Sequence, residues 1–105
     1  MKVEELQDFI DWEIKRLNEF LGKNNEELKP WAAIKLAEEV GELQSEVIGH
    51  SKLHRKDKMD KFSDESFKKE VADVIITTCI LVRRHNIDIV DALENKIEII
   101  RGRSY

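Results

Sequence analysis

Four glutamates stand within twelve residues of one another in Lys35–Glu46, KLAEEVGELQSE, on a segment whose apolar residues keep helical spacing. At about 100° per residue, Leu36, Val40, Leu43 and Val47 form one stripe and Glu39, Glu42 and Glu46 the flank beside it, with Glu38 one step further round. Like charges three or four residues apart on an exposed helix repel by roughly 0.2 to 0.5 kcal/mol per pair, and by more where water is excluded. A cation relieves that cost. A second acidic pair, Glu70 and Asp73, opens the most apolar run of the chain, VADVIITTCILV. Two such pairs facing one another from two helices make a site for a hard, oxygen-seeking divalent ion. The competing reading is a set of solvated carboxylates paired with neighbours such as Lys69; the coincidence of two acidic clusters weighs against it.

The elements that must position these acids read as four helices in a single domain of 105 residues. Such a length suffices for one modest core. With 38% charged residues, four glycines and one proline, the composition favours an all-α fold over a turn-rich sandwich or barrel. A net charge of -4 speaks against binding a nucleic-acid polymer. No 18-residue apolar span or leader is visible and Cys79 is the lone cysteine, so a soluble cytoplasmic protein with a buried thiol is expected, with no membrane partner.

The first helix is expected over about residues 3 to 21, with Val3, Leu6, Ile10, Ile14, Leu17 and Leu21 on one face that reads as packing and Gly22 ending it. A polar connection follows to Lys29, Pro30 fits the first turn of the second helix, and that helix runs to about Gly49. Residues 50 to 63 mix charges without period and read as a loop. His50 and His54 have the spacing of a zinc pair but lack further ligands. Ser63 or Asp64 caps the third helix, which ends near Arg84. It carries Phe67, Val71, Val74, Ile75 and Val82 on one face and Ile76, Cys79 and Ile80 on another, and a narrow polar stripe of Glu70, Asp73, Thr77 and Arg84 lies between. Asp73, among Val71, Ala72, Val74 and Ile75, reads as an enclosed carboxylate. Two apolar faces demand two covers, so a second copy of the chain is expected on the row Ile76, Cys79 and Ile80. Asn86 suits a left-handed stop and Asp88 a cap, and the fourth helix should turn Val90, Leu93, Ile97 and Ile100 inward.

Glu38, Glu39 and Glu42, followed by Glu70 and Asp73, stand as EExxE and ExxD. With Asn86-Ile87-Asp88 and Lys96 in similar places, residues 31 to 103 resemble the MazG-like all-α nucleoside triphosphate pyrophosphohydrolases. The resemblance implies a four-helix, bundle-like MazG-type fold completed by assembly into a homodimer or homotetramer. It implies Mg²⁺, or Mn²⁺ in its place, on Glu39, Glu42, Glu70 and Asp73. The implied activity is cleavage of the α–β phosphoanhydride of a nucleotide to monophosphate and pyrophosphate, with Glu39 and Glu38 in the catalytic group. Glu38 then either positions the attacking water or a ligand, or is a solvated glutamate. Lys96 and Arg103 match a KxxxNxxR element that contacts phosphates, although Ile100 stands at its asparagine position; Arg101 is the alternative basic residue. Lys35 either reaches phosphate or, the preferred reading, neutralises the acidic row. Trp31 either stacks on a base or packs. A second class of function stays open beside the enzyme: a non-catalytic helical dimer used as a binding or regulatory module.

Overall fold

The computed structural model describes residues 1–50 and 63–104. Four helices make up the fold, and there is no strand among the described residues: α1 (Val3–Leu21), α2 (Asn25–His50), α3 (Asp64–Arg84) and α4 (Ile89–Arg101). The expected loop over residues 50 to 63, and the His50 and His54 side chains within it, fall outside the described residues apart from the last residue of α2 and the Ser63 cap. No helix among the described residues is long and apolar enough to cross a membrane.

Local signals set the ends. Gly22 stops α1 with φ at 63°, a left-handed conformation that glycine adopts without strain. Asn24 and Glu27 then form a reciprocal box: the Glu27 N–H donates to Asn24 Oδ1 at 2.9 Å and the Asn24 N–H to Glu27 Oε1 at 3.2 Å. This box starts α2 at Asn25, ahead of the expected start, so Pro30 lies inside the helix and not in its first turn. The proline ring deprives the chain of one N–H only, and the early cap outweighs it. Ser63 Oγ accepts from the Ser66 N–H at 3.1 Å to open α3. Asn86, at φ 58°, turns the chain out of α3, and Asp88 Oδ1 accepts from the Val90 N–H at 2.9 Å to open α4.

Most of the packing is α2 against α3, with α1 on α3 second and α4 on α3 least. Helices α2 and α3 run antiparallel, since Asn25 at the start of one bonds Arg84 at the end of the other, and Ser66 at the start of α3 bonds Glu46 late in α2. Leu28 and Ala32 are buried on α2, while Ile10 of α1 closes over Cys79 and Ile80 of α3 with Leu6, Ile14, Leu17, Ile76 and Ile89 around them. At the far side of that contact the Arg83 guanidinium donates to Asp11 at 2.9 and 3.4 Å.

Two expectations about coverage need correction. The row Ile76, Cys79 and Ile80 is covered by α1 of the same chain, and needs no second copy. Helix α4 does not turn its apolar stripe inward: no residue of it is buried, and Leu93, Ile97 and Ile100 are exposed. Sequence periodicity defines a face but not its cover, and of α4 it is Ile89, beside the expected stripe, that packs against the core cluster.

Candidate metal centre

The polar stripe of α3 is the seam along which α2 lies, and its three parts are satisfied in different ways. At the α3 N-terminus the Ser66 hydroxyl donates to Glu46 Oε2 at 2.9 Å, which occupies the glutamate furthest along the acidic row. At the other end Arg84, 1% exposed, donates through Nη1 to Asn18 Oδ1 at 2.9 Å and to Asn25 Oδ1 at 3.2 Å, while its carbonyl accepts from Asn25 Nδ2 at 2.8 Å. Its Nε and Nη2 are buried without a partner. Removal from water makes the guanidinium easier to deprotonate than usual, and no carboxylate offsets that.

Between these ends lie the acids. One oxygen from each of Glu39, Glu70 and Asp73 falls within 4.8 Å of the other two. Glu39 and Glu70 are half-buried, and the Oε2 atom of each is shut off from water with no hydrogen-bond partner. Loss of water pushes the Glu39 carboxyl above the usual carboxylate range, with repulsion from Glu42 and Asp73 adding to it. Glu70 is raised for the same first reason, followed by repulsion from Glu42, Asp73 and Glu39. An isolated apolar environment does not build such an arrangement, because buried acceptors lacking donors are costly. A divalent cation fits the donor set: three hard oxygens from two helices, with two buried lone pairs otherwise unspent.

Asp73 is exposed and not enclosed by Val71, Ala72, Val74 and Ile75. Its neighbours in sequence point elsewhere around the helix, and its own carboxylate opens toward water on the α2 side. Glu42 is exposed too and lies outside the three-oxygen group, although its charge is felt by both Glu39 and Glu70. Lys35 Nζ donates to Glu38 Oε2 at 2.9 Å, and that bond with the nearby charges of Glu39 and Glu42 holds its proton more firmly than usual. Glu38 is thus the ion-pair partner of Lys35. Trp31 is half-buried near the start of α2. Lys96 and Arg103 are exposed, on α4 and just past its end.

Comparison with known proteins finds no matching family model, no matching curated protein and no matching solved structure. The site is therefore argued on its own geometry.

The role of Arg84 was not singled out by sequence reasoning, nor were Asn18, Asn25 and Ser66. For Arg84 the signal was present, since it belongs to the same stripe as Glu70 and Asp73. A polar residue on the seam of two helices finds its partner on the facing helix, here at the junction of α1 and α2.

Proposed function

We propose that the chain is a Mg²⁺-dependent nucleotide pyrophosphohydrolase of MazG-like type, acting on a nucleoside triphosphate to give monophosphate and pyrophosphate. The observation that carries the reading is the convergence of Glu39, Glu70 and Asp73 from α2 and α3, with two of their oxygens buried and unpartnered. The EExxE and ExxD spacing supports it, since both motifs meet on one seam.

When bound, Mg²⁺ supplies neutralisation of phosphate charge and lowers the cost of generating the attacking hydroxide. Glu39, Glu70 and Asp73 would hold it, the first two through oxygens shut off from water. Glu42, at the exposed edge, is placed to accept a proton from water or to complete the ligand set. Lys35 offsets the acidic row through Glu38, which keeps that carboxylate in place as a positioning group. Lys96 and Arg103 are assigned to the phosphates by resemblance alone, and they would meet a substrate held at the seam only if α4 is brought to it. Assembly into a homodimer or homotetramer belongs to the same reading, and the exposed apolar residues of α2 and α4 support it.

The test is a nucleotide panel with Mg²⁺, read out by pyrophosphate release beside orthophosphate release. Monophosphate and pyrophosphate in equal amounts support the reading. Diphosphate and orthophosphate reject this cleavage position. No turnover of any nucleotide by protein that demonstrably binds Mg²⁺ favours the non-catalytic binding module.

A further inference from the structure

A second concavity lies away from the acidic seam, in the corner where α1, the end of α3 and the start of α4 meet. At about 100° per residue, Cys79 stands about 120° from Asp73 and about 180° from Glu70 around α3, so the corner and the seam are separate places. The cavity has a volume of about 210 Å³. Its floor is apolar, built from Leu6 and Ile10 of α1, Cys79 of α3 and Ile89 of α4, and the half-exposed Ile87 adds a wall. Cys79 is 7% exposed, and its free thiol has no hydrogen bond to any described residue. Water fills such a space poorly, because over these side chains it finds few partners, and an apolar group that displaces it gains by doing so. An apolar cavity of about 150 Å³ accepts benzene, so the space here suffices for a ring with a short polar arm.

The polar residues set the sign of that arm. Among the lining residues, the carboxylates of Asp8, Asp11 and Asp88 against the one guanidinium of Arg83 leave an excess of two negative charges. Arg83 is already spent on Asp11, to which it donates at 2.9 and 3.4 Å. Asp88 gives Oδ1 to the α4 cap, accepting from the Val90 and Asp91 N–H groups, and keeps Oδ2 unused. Asp8 has no ion pair or hydrogen bond among the described residues, and Gln7 adds a neutral acceptor. An anion meets this excess as repulsion. A metal ion fails for another reason: among the described residues, the carboxylates that converge within 4.8 Å are those of Glu39, Glu70 and Asp73, so the three aspartates here do not share one. An ammonium group carries three N–H donors and no acceptor, which suits acceptors spread in this way.

We infer that this corner binds a small organic ammonium ion, whose apolar body of about ring size rests on Leu6, Ile10, Cys79 and Ile89 while its nitrogen is held by Asp8 and Asp88. The site is independent of the seam and of the reaction proposed there. Charge and cavity act together: acids alone would take any cation, and the cavity alone any apolar fragment.

The experiment is a titration of the full chain with benzylamine at neutral pH, followed by the backbone amide signals in two-dimensional NMR. Methylamine, benzyl alcohol and phenylacetate are run beside it: the first lacks the apolar body, the second the charge, and the third carries the opposite charge. Benzylamine should shift the amides of residues 6 to 11 and 87 to 89 and saturate with a dissociation constant of about 1 mM, as befits a fragment of this size. Each comparator should bind at least about fivefold more weakly, and Asp8→Asn should weaken benzylamine about fivefold, the loss of one partly exposed charge contact. Asp8 is exposed and unpaired, so the variant keeps its helices by circular dichroism. Glu94→Gln, outside the cavity, should leave the binding unchanged. Shifts confined to the seam, no saturation in the millimolar range, any comparator as strong as benzylamine, or indifference to Asp8→Asn would each overturn the inference.

Discussion

Replacing Glu70 by Gln keeps the shape of the side chain and removes one charge from the acidic group, and its effect should reverse sign with metal. Without metal, Glu70 sits within 4.8 Å of a carboxylate oxygen from each of Glu39 and Asp73, with Oε2 buried and unpartnered. Unit charges at that separation repel by about 1 kcal/mol in water and about 3 kcal/mol at an effective dielectric constant of 20. Asp73 is exposed and Glu70 half-buried, so solvent screening brings the expected gain from Glu70→Gln to about 1 kcal/mol. For a domain of this size that raises the melting temperature by roughly 4 to 8 °C in a chelator. Wild type should gain on adding magnesium, by about 1.4 kcal/mol when the free ion is about ten times its dissociation constant, and the variant should gain almost nothing. Thermal melts followed by circular dichroism, in EDTA and in MgCl₂ with NaCl matched for ionic strength, give the two curves. Glu70→Gln should melt above wild type in EDTA and lose that lead in magnesium. A variant that melts lower in EDTA and still responds to magnesium like wild type would refute the acidic group as the metal site.

Glu39→Gln should lower kcat for pyrophosphate release by at least about 100-fold, since a displaced ion forfeits stabilisation of charge developing at the transition state; unchanged turnover would remove Glu39 from the site. The raised carboxyls make the folded apoprotein bind more protons than the unfolded chain, so their stabilising contribution is present below pH 4.5 and is lost as pH rises through the folded values. Urea titrations of metal-free protein from pH 4.5 upward should show that loss in wild type and less of it in Glu70→Gln. Arg84→Ala should cost about 3 kcal/mol or more in urea denaturation, because it empties a buried volume and orphans Asn18 and Asn25 together. Arg84→Met, which fills the space and removes two unmatched N–H groups with the charge, should cost measurably less.

The sequence was most legible where a local signal is sufficient by itself. Gly22 after a run of inward apolar residues marks the end of α1, Ser63 and Asp88 mark the starts of α3 and α4, and Asn86 takes the positive φ that its short polar side chain tolerates. Pro30 misled because proline prefers a first turn, while the Asn24–Glu27 box, equally visible in the sequence, fixed the start five residues earlier. Coverage was the least legible property: Ile76, Cys79 and Ile80 form a face whatever lies over it, and only the tertiary arrangement shows α1 there. The acidic site was half legible. The sequence brought Glu39, Glu42, Glu70 and Asp73 forward together, but which oxygens lose water depends on how α2 and α3 settle along their seam, and this leaves Glu42 outside the three-oxygen group, keeps Asp73 in it though exposed, and buries parts of Glu39 and Glu70.

Cys79 faces α1, on the side of α3 away from the acidic seam, and burial pushes its thiol up, away from the reactive thiolate. The chain thus carries a natural stopwatch for one motion alone. Alkylation of this thiol quickens while α1 is lifted from α3, and its rate, set against that of the unfolded chain, reports the population of that open form. Ligands acting on the α2 side leave the stopwatch running at its old rate unless the whole fold tightens, so a single mass-spectrometric time course separates local loosening of α1 from global unfolding.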